Sequence, residues 1–433
     1  MKRGIGVLLA LVIGFLTVCA QPDTAEAAQK QAQTDPFVIV LDAGHGGSDG
    51  GACRTWSGKR YKEKQLNLAI AKACKAELEK YAGVKVYMTR TSDVYVSLDE
   101  RVLFAKQMGA DLFVSLHNNA DYKTSSNGAC VFYPNYNYKK EIGAEGRRVA
   151  VSIENKLTSL GLKNLGVAYR NSENRTKYPD KKLADYYRVI KLSKEEGFPG
   201  LIVEHAYVSN PSDCRKYLST PAKLKKLGVA DAAGIAEAYG LVKGKTPVLK
   251  SVKLAEGNAV SLSWSKCAWA DGYVLFRRSV GEEAYEAFAV VSGSDSSSYL
   301  DTTVAGGQTY EYCMRAYVAG QDRTFYTDVS NTLSVTTIGA PSLVAVSRSD
   351  TGQVQLAFTS VDGADGYLIA RRANSEESFL VVAELDSGTL VWTDAGADVE
   401  HSYEYQVCAY VKCENIKITG AYTPGVTDTI ETE

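Results

Sequence analysis

Short apolar runs alternate with stretches of helical spacing between residues 37 and 239, and this alternation restricts the fold more than any other feature of the chain. The runs at 38–41 and 112–116 have the length of buried strands, whereas apolar residues within 66–81 recur at helical intervals. Strands that alternate with helices in this way form an α/β fold with a mostly parallel sheet flanked by helices. We expect one domain of this class over residues 37–242.

Two helix starts in this region carry recognisable end signals. Ser97 and Glu100 have the spacing of a capping box, which predicts a helix that opens there and runs through Met108. Thr220 and Pro221 provide an N-cap and a first-turn proline, which predict a helix that runs towards Tyr239. Both signals agree with the alternating pattern.

Beyond residue 246 the helical periodicity disappears and two stretches resemble each other. Ala-Asp-Gly-Tyr at 270–273 returns at 364–367, and a Tyr-Glu-Tyr motif follows each copy at a similar distance. A repeat of about 90 residues with alternating patterning has the size of a seven-stranded sandwich. We expect two all-β immunoglobulin-like sandwiches, at residues 247–338 and 340–431.

The aromatic and arginine pattern of this repeat resembles fibronectin type III modules. Trp264, and Phe358 at the matching place, are expected to fill the two cores, and each copy carries an Arg-Arg pair. Such a resemblance implies a fold and says little about a ligand. We expect these residues to lie in cores and on strand surfaces rather than to form a carbohydrate-binding stripe.

The start of the chain has the organisation of a secretory signal. A basic start precedes an apolar stretch at 5–18, and a small-x-small cleavage site lies at 25–27. We expect residues 1–27 to be a signal peptide, residues 28–36 to be a disordered leader, and the protein to be secreted. Cys19 offers a lipoprotein site as an alternative, but the valine before it is a poor fit.

Charge and cysteine spacing exclude several classes of function. The net charge of -1 gives no electrostatic footprint for nucleic acid. The apolar stretch of the signal is shorter than the roughly 20 residues of a membrane span, and no comparable run follows it. Eight cysteines follow Cys19 without a CxxC motif, so disulfides are permitted but a cysteine-ligated zinc site is disfavoured. The sequence does not specify an oligomeric state.

Three polar strings follow apolar runs, and they hold three of the four histidines of the chain. His45 lies in Gly-His-Gly-Gly, His117 in Leu-His-Asn-Asn, and Glu204 directly before His205. Ligands of α/β folds collect at the carboxyl ends of the strands, where we expect His45, His117 and Glu204 to meet. Taken singly, each histidine could equally satisfy a turn or a strand end.

Glu63 completes a candidate metal site. It lies where a helix starts, so its carboxylate can face inwards from the first turn, although the helix dipole alone also favours an acid there. Two imidazoles and one carboxylate form the ligand set of hydrolytic zinc sites that keep a fourth position open for water. We expect His45, Glu63 and His117 to hold Zn²⁺.

Glu204 is the candidate base for chemistry at such a site. A carboxylate at the end of an apolar strand tends to have a raised pKa, which suits a group that accepts a proton from water and returns it to a leaving nitrogen. The alternative is a buried acid paired with Arg188 or Arg101. His205 should point away from Glu204, because successive residues of a strand face opposite sides of the sheet.

Five segments of the region, in order, resemble zinc-dependent N-acetylmuramoyl-L-alanine amidases of the type 3 amidase family. Combined, they are specific, although no single one would be. They lie at residues 38–47, 62–71, 97–101, 109–120 and 203–210.

The resemblance implies zinc bound by His45, Glu63 and His117, catalysis assisted by Glu204, and cleavage of the amide between N-acetylmuramic acid and L-alanine in peptidoglycan. It also implies an extracellular or cell-wall location. Residues 52–61 form a longer segment than is usual in the family, which weakens the assignment of Glu63. Two alternatives remain: a zinc hydrolase of another cell-wall peptide bond, and an inactive wall-binding or adhesion protein.

Overall fold

The computed structural model describes residues 36–320, 322–413 and 416–428. The predicted signal peptide, and all of the predicted leader except residue 36, lie outside the described residues. The first part of the chain contains eight strands: β1 (Phe37–Ala43), β2 (Cys53–Trp56), β3 (Lys59–Lys62), β4 (Val84–Met88), β5 (Leu112–Asn119), β6 (Ala129–Phe132), β7 (Asn164–Ala168) and β8 (Gly200–Tyr207). Its helices are α1 (Glu63–Leu78), α2 (Leu98–Gln107), α3 (Lys140–Thr158), α4 (Arg188–Glu196), α5 (Pro211–Asp213, continued by a π-helical turn, Cys214–Leu218) and α6 (Pro221–Tyr239).

Six of these strands form one sheet in the order β4-β1-β5-β8-β6-β7. Every neighbouring pair is parallel except β8 and β6, so the sheet is mixed but mostly parallel, as predicted. The other two strands, β2 and β3, form a separate antiparallel hairpin. The hairpin accounts for the long segment at residues 52–61, and it leads directly into α1.

The sheet is covered by helices on both faces. Alternate residues of the central strands enter two cores: Leu41 and Val114 pack under α1, α3 and α6, whereas Val40 and Phe113 pack under α2 and α4. Because β1 and β5 are buried on both faces, their sequences are continuous apolar runs rather than alternating ones.

The three predicted helix starts are confirmed, and one helix ends earlier than its apolar spacing suggested. The Ser97 hydroxyl accepts a hydrogen bond from the Glu100 amide, and the full capping box is formed. Thr220 caps α6, with Pro221 in the first turn. The helix expected to start at Glu63 does begin there, directly after the hairpin, but it ends at Leu78 rather than continuing to residue 81.

The rest of the chain consists of strands in two similar sets. The first set is β9 (Leu249–Ala255), β10 (Ala259–Trp264), β11 (Gly272–Ser279), β12 (Glu286–Ser292), β13 (Ser298–Asp301), β14 (Thr309–Ala319), β15 (Thr324–Tyr326) and β16 (Leu333–Thr336). The second set is β17 (Leu343–Arg348), β18 (Val354–Phe358), β19 (Gly366–Ala373), β20 (Leu380–Asp386), β21 (Val391–Asp394), β22 (Tyr403–Cys413), β23 (Ile416–Thr419) and β24 (Val426–Thr427).

Each set forms one three-stranded and one five-stranded sheet, in equivalent orders. Trp264 and Phe358 are buried in the two cores, as predicted. Each set contains eight strands rather than the expected seven, because the long strand β14 pairs with β15 at one end and β16 at the other, and β22 pairs with β23 and β24 in the same way.

One buried aspartate organises the polar groups in each set. Asp301 accepts hydrogen bonds from Arg277 at 2.6 Å and from the Tyr312 hydroxyl at 2.9 Å. In the second set, Asp394 accepts equivalent bonds from Arg371 and Tyr405. These residues of the repeat therefore have structural roles, in agreement with the expectation from the sequence.

The first strand set packs on the α/β part at the amino ends of β1 and β5. The Phe325 ring meets the Phe37 ring edge-on at 5.6 Å, and Arg323 forms an ion pair with Asp111 at 2.7 Å. Phe325 and Val318 belong to the same apolar core as α1 and α6. This contact lies at the sheet edge opposite the carboxyl ends of the strands.

The eight cysteines within the described ranges are all free, so the disulfides that their even number permits are not formed there. Of the helices that these ranges contain, none has the length and apolar character needed to cross a bilayer.

Replacement of Asp301 by alanine should destabilise the first strand set by about 3 kcal/mol, because the Arg277 guanidinium and the Tyr312 hydroxyl lose their buried acceptor. Calorimetry of the full chain would measure the shift of the corresponding unfolding transition. Asp295→Ala is the control. The Asp295 side chain is 99% exposed and its one ion pair, with Lys266, is long at 3.7 Å, so the loss of stability should be below about 0.5 kcal/mol. Equal losses for the two variants would contradict this role of Asp301.

Candidate metal centre

Three side chains from different elements converge at the carboxyl edge of the sheet. His45 follows β1, Glu63 is the first residue of α1, and His117 lies within β5. One potential ligand atom from each lies within 4.8 Å of the other two. Glu63 Oε1 is 3.1 Å from both His45 Nε2 and His117 Nδ1. The structure therefore brings together the three residues that the sequence suggested as metal ligands.

Gly44 and Gly51 allow this close approach. A Cβ atom at Gly44 would lie 2.2 Å from the His117 ring, and one at Gly51 would lie 2.6 Å from the His45 ring and 2.7 Å from the Glu63 carboxylate. Gly51 also has a positive φ of 61°, which favours glycine. The glycine-rich string after β1 is thus explained by side chains that pack against its backbone.

Two arginines fix the His45 loop through its carbonyl oxygens. Arg90 donates to the carbonyls of Ala43 at 2.7 Å and Gly44 at 2.9 Å. Arg101 donates to the His45 carbonyl at 2.9 Å and pairs with the buried Asp42 at 2.5 Å. No sequence pattern pointed to Arg90, and Arg101 was expected only within the family-like segment 97–101 or as a partner for Glu204.

Glu63 is oriented by backbone and side-chain donors. Its Oε2 accepts from the Ala52 amide at 2.7 Å, while its Oε1 lies 3.3 Å from the Asn118 amide and 3.4 Å from Asn67 Nδ2. Burial alone would raise the pKa of Glu63, but hydrogen bonds from the two histidines outweigh it and hold the pKa well below its usual range. The carboxylate is therefore ionised at neutral pH. Asn67 lies one helical turn after Glu63, a spacing from which its role could have been inferred.

His45 has a second carboxylate partner. Its Nδ1 lies 2.8 Å from Asp49 Oδ2, so the ring is oriented between Asp49 and Glu63. Burial lowers the pKa of His45, but the two carboxylates outweigh burial and raise it to about 9. A cation that binds at Nε2 must therefore displace a proton. Carboxylates commonly orient metal-ligating imidazoles in this way.

Glu204 lies beside His117 in the parallel register of β5 and β8. Its Oε2 is buried and has no hydrogen-bond partner among the described residues. Burial raises the pKa of Glu204 to about 7. The alternative pairing with an arginine is wrong, because Arg188 binds Asp99 and Arg101 binds Asp42. A half-buried carboxylate with one buried and unpartnered oxygen, beside His117, is a group that can exchange a proton within the site.

His205 takes no part in the cluster, as alternation along the strand predicts. It is fully buried, and its Nε2 lies 2.8 Å from Asp231 Oδ2 on α6. Its Nδ1 lies 2.7 Å from the carbonyl oxygen of His117. Asp231 could not be predicted from the sequence, because an aspartate on the apolar face of a helix carries no local signal of its partner.

Comparison with known proteins identifies the family. The type 3 amidase family model, described as N-acetylmuramoyl-L-alanine amidase, matches residues 39–237. A sporulation-specific N-acetylmuramoyl-L-alanine amidase of Bacillus subtilis is 31% identical over 230 residues, which cover 52% of this chain and 78% of the relative. The chain belongs to the N-acetylmuramoyl-L-alanine amidase family. The amidase match contains every residue of the cluster and Glu204.

Other relatives of this amidase are matched over smaller shares of their length. N-acetylmuramoyl-L-alanine amidase LytC of Bacillus subtilis is 36% identical over 179 residues, which are 41% of this chain and 31% of LytC. The solved structure of Cwp6 from Clostridium difficile is 30% identical, with a TM-score of 0.41, and the match covers 48% of this chain and 30% of that one. The chain thus spans about a third of each of these two proteins.

Gly44→Ala should abolish tight metal binding, because the added methyl group would occupy the space of the His117 ring. Isothermal titration of the metal-free amidase with Zn²⁺ would measure the effect, with circular dichroism as a check of the fold. Gly50→Ala is the matched control in the same loop, since its Cβ would meet only Cys53 Sγ at an ordinary 3.7 Å. Unchanged Zn²⁺ affinity in Gly44→Ala would contradict the proposed packing.

Glu204→Gln should stabilise the metal-free protein in a pH-dependent way. The pKa of Glu204 is raised from 4.5 to about 7, so between these values the folded state keeps a proton that the unfolded state releases, and stability falls as the pH rises. Glutamine removes this loss. The free energy of unfolding of the variant should equal that of the wild type near pH 4.5 and should be larger by at most on the order of 3 kcal/mol above pH 7.

Urea unfolding in the presence of EDTA, repeated across this pH range, would measure that difference. Glu141→Gln, at an exposed position of the first turn of α3, is the control and should differ from the wild type by a constant amount. A pH-independent difference for Glu204→Gln would show that Glu204 is already ionised in the folded metal-free protein.

Proposed function

We propose that this protein is a zinc-dependent peptidoglycan hydrolase that cleaves the amide between N-acetylmuramic acid and L-alanine. One observation carries the proposal: Glu204, whose Oε2 is buried and has no hydrogen-bond partner among the described residues, lies beside a His45, Glu63 and His117 cluster in a chain that belongs to the amidase family. The substrate named for the relatives is transferred to this chain as part of the proposal.

The residues of the cluster fit a zinc ion. Two imidazole nitrogens and one carboxylate oxygen are the ligand types of hydrolytic zinc sites. The distances of 3.1 Å from Glu63 Oε1 to His45 Nε2 and to His117 Nδ1 are close to the roughly 3.3 Å between ligand atoms around a tetrahedral zinc with bonds of about 2.0 Å. We propose His45, Glu63 and His117 as the ligands, with Asp49 and Asn67 orienting them. A bound Zn²⁺ would supply a water of lowered pKa and polarise a carbonyl group.

Glu204 provides the proton transfers that amide cleavage requires. Burial raises the pKa of Glu204 in the metal-free protein; in the reaction its carboxylate would accept a proton from the attacking water, and its carboxyl group would donate that proton to the leaving nitrogen. The water oxygen forms a bond to the carbonyl carbon of the muramic acid side chain, the carbon–nitrogen bond breaks, and L-alanine leaves with a free amine. Arg90 and Arg101 hold the His45 loop in place throughout.

The rest of the organisation is proposed from sequence pattern and strand arrangement. We assign residues 1–27 to a signal peptide, 28–36 to a leader and 37–242 to the catalytic domain. Residues 247–338 and 340–431 are assigned to two sandwiches of fibronectin type III type, supported by the paired three-stranded and five-stranded sheets that share one core in each set. A secreted, cell-wall location follows from the signal and from the substrate.

The mature protein should release stem peptides with a free L-alanine amine from purified sacculi, and Glu204→Gln should lower the rate at least about a hundredfold. Zinc content should stay at one ion per chain in Glu204→Gln and fall in His117→Ala. Mass spectrometry of the released fragments and metal analysis of the variants would test both expectations.

The fragment masses also separate the remaining alternatives. Released fragments that keep the muramyl–alanine linkage would assign the cluster to another cell-wall bond. Binding to sacculi without any release of peptides would leave a wall-binding protein.

A further inference from the structure

His205 and Asp231 form a buried polar pair that the proposed reaction does not use. Both residues are fully buried, and they join β8 to α6 through a 2.8 Å contact between His205 Nε2 and Asp231 Oδ2. Val203 of β8 and Ala232 and Ile235 of α6 belong to the main core, and the buried Glu154 carboxylate interacts electrostatically with His205. An apolar pair of similar volume would often be at least as stable at such a place. The pair therefore requires an explanation other than packing.

The other ring nitrogen of His205 leads directly to the metal centre. His205 Nδ1 lies 2.7 Å from the carbonyl oxygen of His117, which is the backbone of a proposed ligand. A carbonyl oxygen can only accept, so Nδ1 must carry a hydrogen. Asp231 then either accepts from a protonated Nε2 or donates to an unprotonated one. In both cases the carboxyl group of Asp231 keeps the ring in the form that donates to His117.

The sheet is irregular where this bond is made. His117 pairs with Glu204, and the next pair is Asn119 with Tyr207. The chain advances by two residues in β5 but by three in β8, so β8 contains one extra residue between the two pairs. Such a bulge disrupts the local ladder of backbone hydrogen bonds. The His205 ring donates to the His117 carbonyl at this irregularity, where a regular strand would offer a backbone amide.

We propose that His205 and Asp231 are positioning residues for the metal centre: they hold the backbone of His117, and thereby its ring, in the geometry that binds zinc. This inference rests on the proposed function only in taking His117 as a zinc ligand. Partners that orient a ligand from outside the metal's own coordination sphere commonly change metal affinity by 10-fold to 100-fold.

The test compares variants that break the chain of hydrogen bonds with variants that keep it. Asp231→Leu and His205→Leu remove the polar contacts, and each should weaken Zn²⁺ binding about 10-fold to 100-fold. The Zn²⁺ affinity of Asp231→Asn should stay within about threefold of the wild type. The asparagine amide can donate to His205 Nε2, so that the hydrogen on His205 Nδ1 is still donated to the His117 carbonyl. His205→Gln should recover part of the loss, since its amide can still donate to the carbonyl.

Ile235→Val is the matched control for the core of α6. It shortens a fully buried side chain one turn after Asp231 and should lower stability without changing Zn²⁺ affinity. Affinity is measured by competition with a chromophoric chelator, and the absorption spectrum of the Co²⁺-substituted protein reports the ligand geometry. The proposal would be overturned if Asp231→Leu had the same Zn²⁺ affinity and the same Co²⁺ spectrum as Ile235→Val.

If the leucine variants do not fold, NMR of the wild-type protein tests the proposal instead. The ¹⁵N chemical shifts of the His205 ring should show a hydrogen on Nδ1, whereas an unprotonated Nδ1 would refute the assignment. These readouts are separate from amidase activity. A wild type that binds zinc through His117 but releases no L-alanine would reject the proposed substrate and leave this inference standing.

Discussion

The parallel register between β1 and β5 is the constraint on which the site depends. It sets Ala43 opposite Leu116, and the Gly44 amide continues the ladder by donating to the Leu116 carbonyl at 3.1 Å. The His117 ring then lies directly against Gly44, so that only glycine fits there. Both histidines are thus positioned by backbone pairing, and α1 has only to present Glu63 between them. A shift of one residue in this register would turn His117 to the opposite face of the sheet.

The electrostatics of the site follow from the same arrangement. One ionised carboxylate lies between two imidazoles, and a second carboxylate, Glu204, lies beside them with its Oε2 buried and without a hydrogen-bond partner among the described residues. Negative charge in a poorly solvated place attracts either protons or a cation. In the metal-free protein, protons fill that role, as the raised pKa values of His45 and Glu204 show. A divalent cation would replace them, which links metal binding to proton release.

The sequence predicted the elements whose signals are local. The apolar runs marked β1 and β5, the capping box marked the start of α2, and the three candidate ligands lay in strings that follow strands or open a helix. It missed the groups that act across the fold. Arg90 reaches the Gly44 carbonyl from 46 residues away, and Asp231 reaches His205 from α6. Such partners are set by packing, which no local pattern encodes.

The first strand set joins the α/β part far from the cluster, and this affects how a polymeric substrate could reach the proposed metal site. Phe325 and Arg323 contact the amino end of the sheet, whereas the cluster lies at the carboxyl end of β5. This strand has eight residues and spans roughly 25 Å. The contact with the first strand set and the proposed zinc ligands therefore lie at opposite ends of the sheet. Because this contact does not cover the cluster, a polymer could approach the proposed zinc ligands without displacing the first strand set.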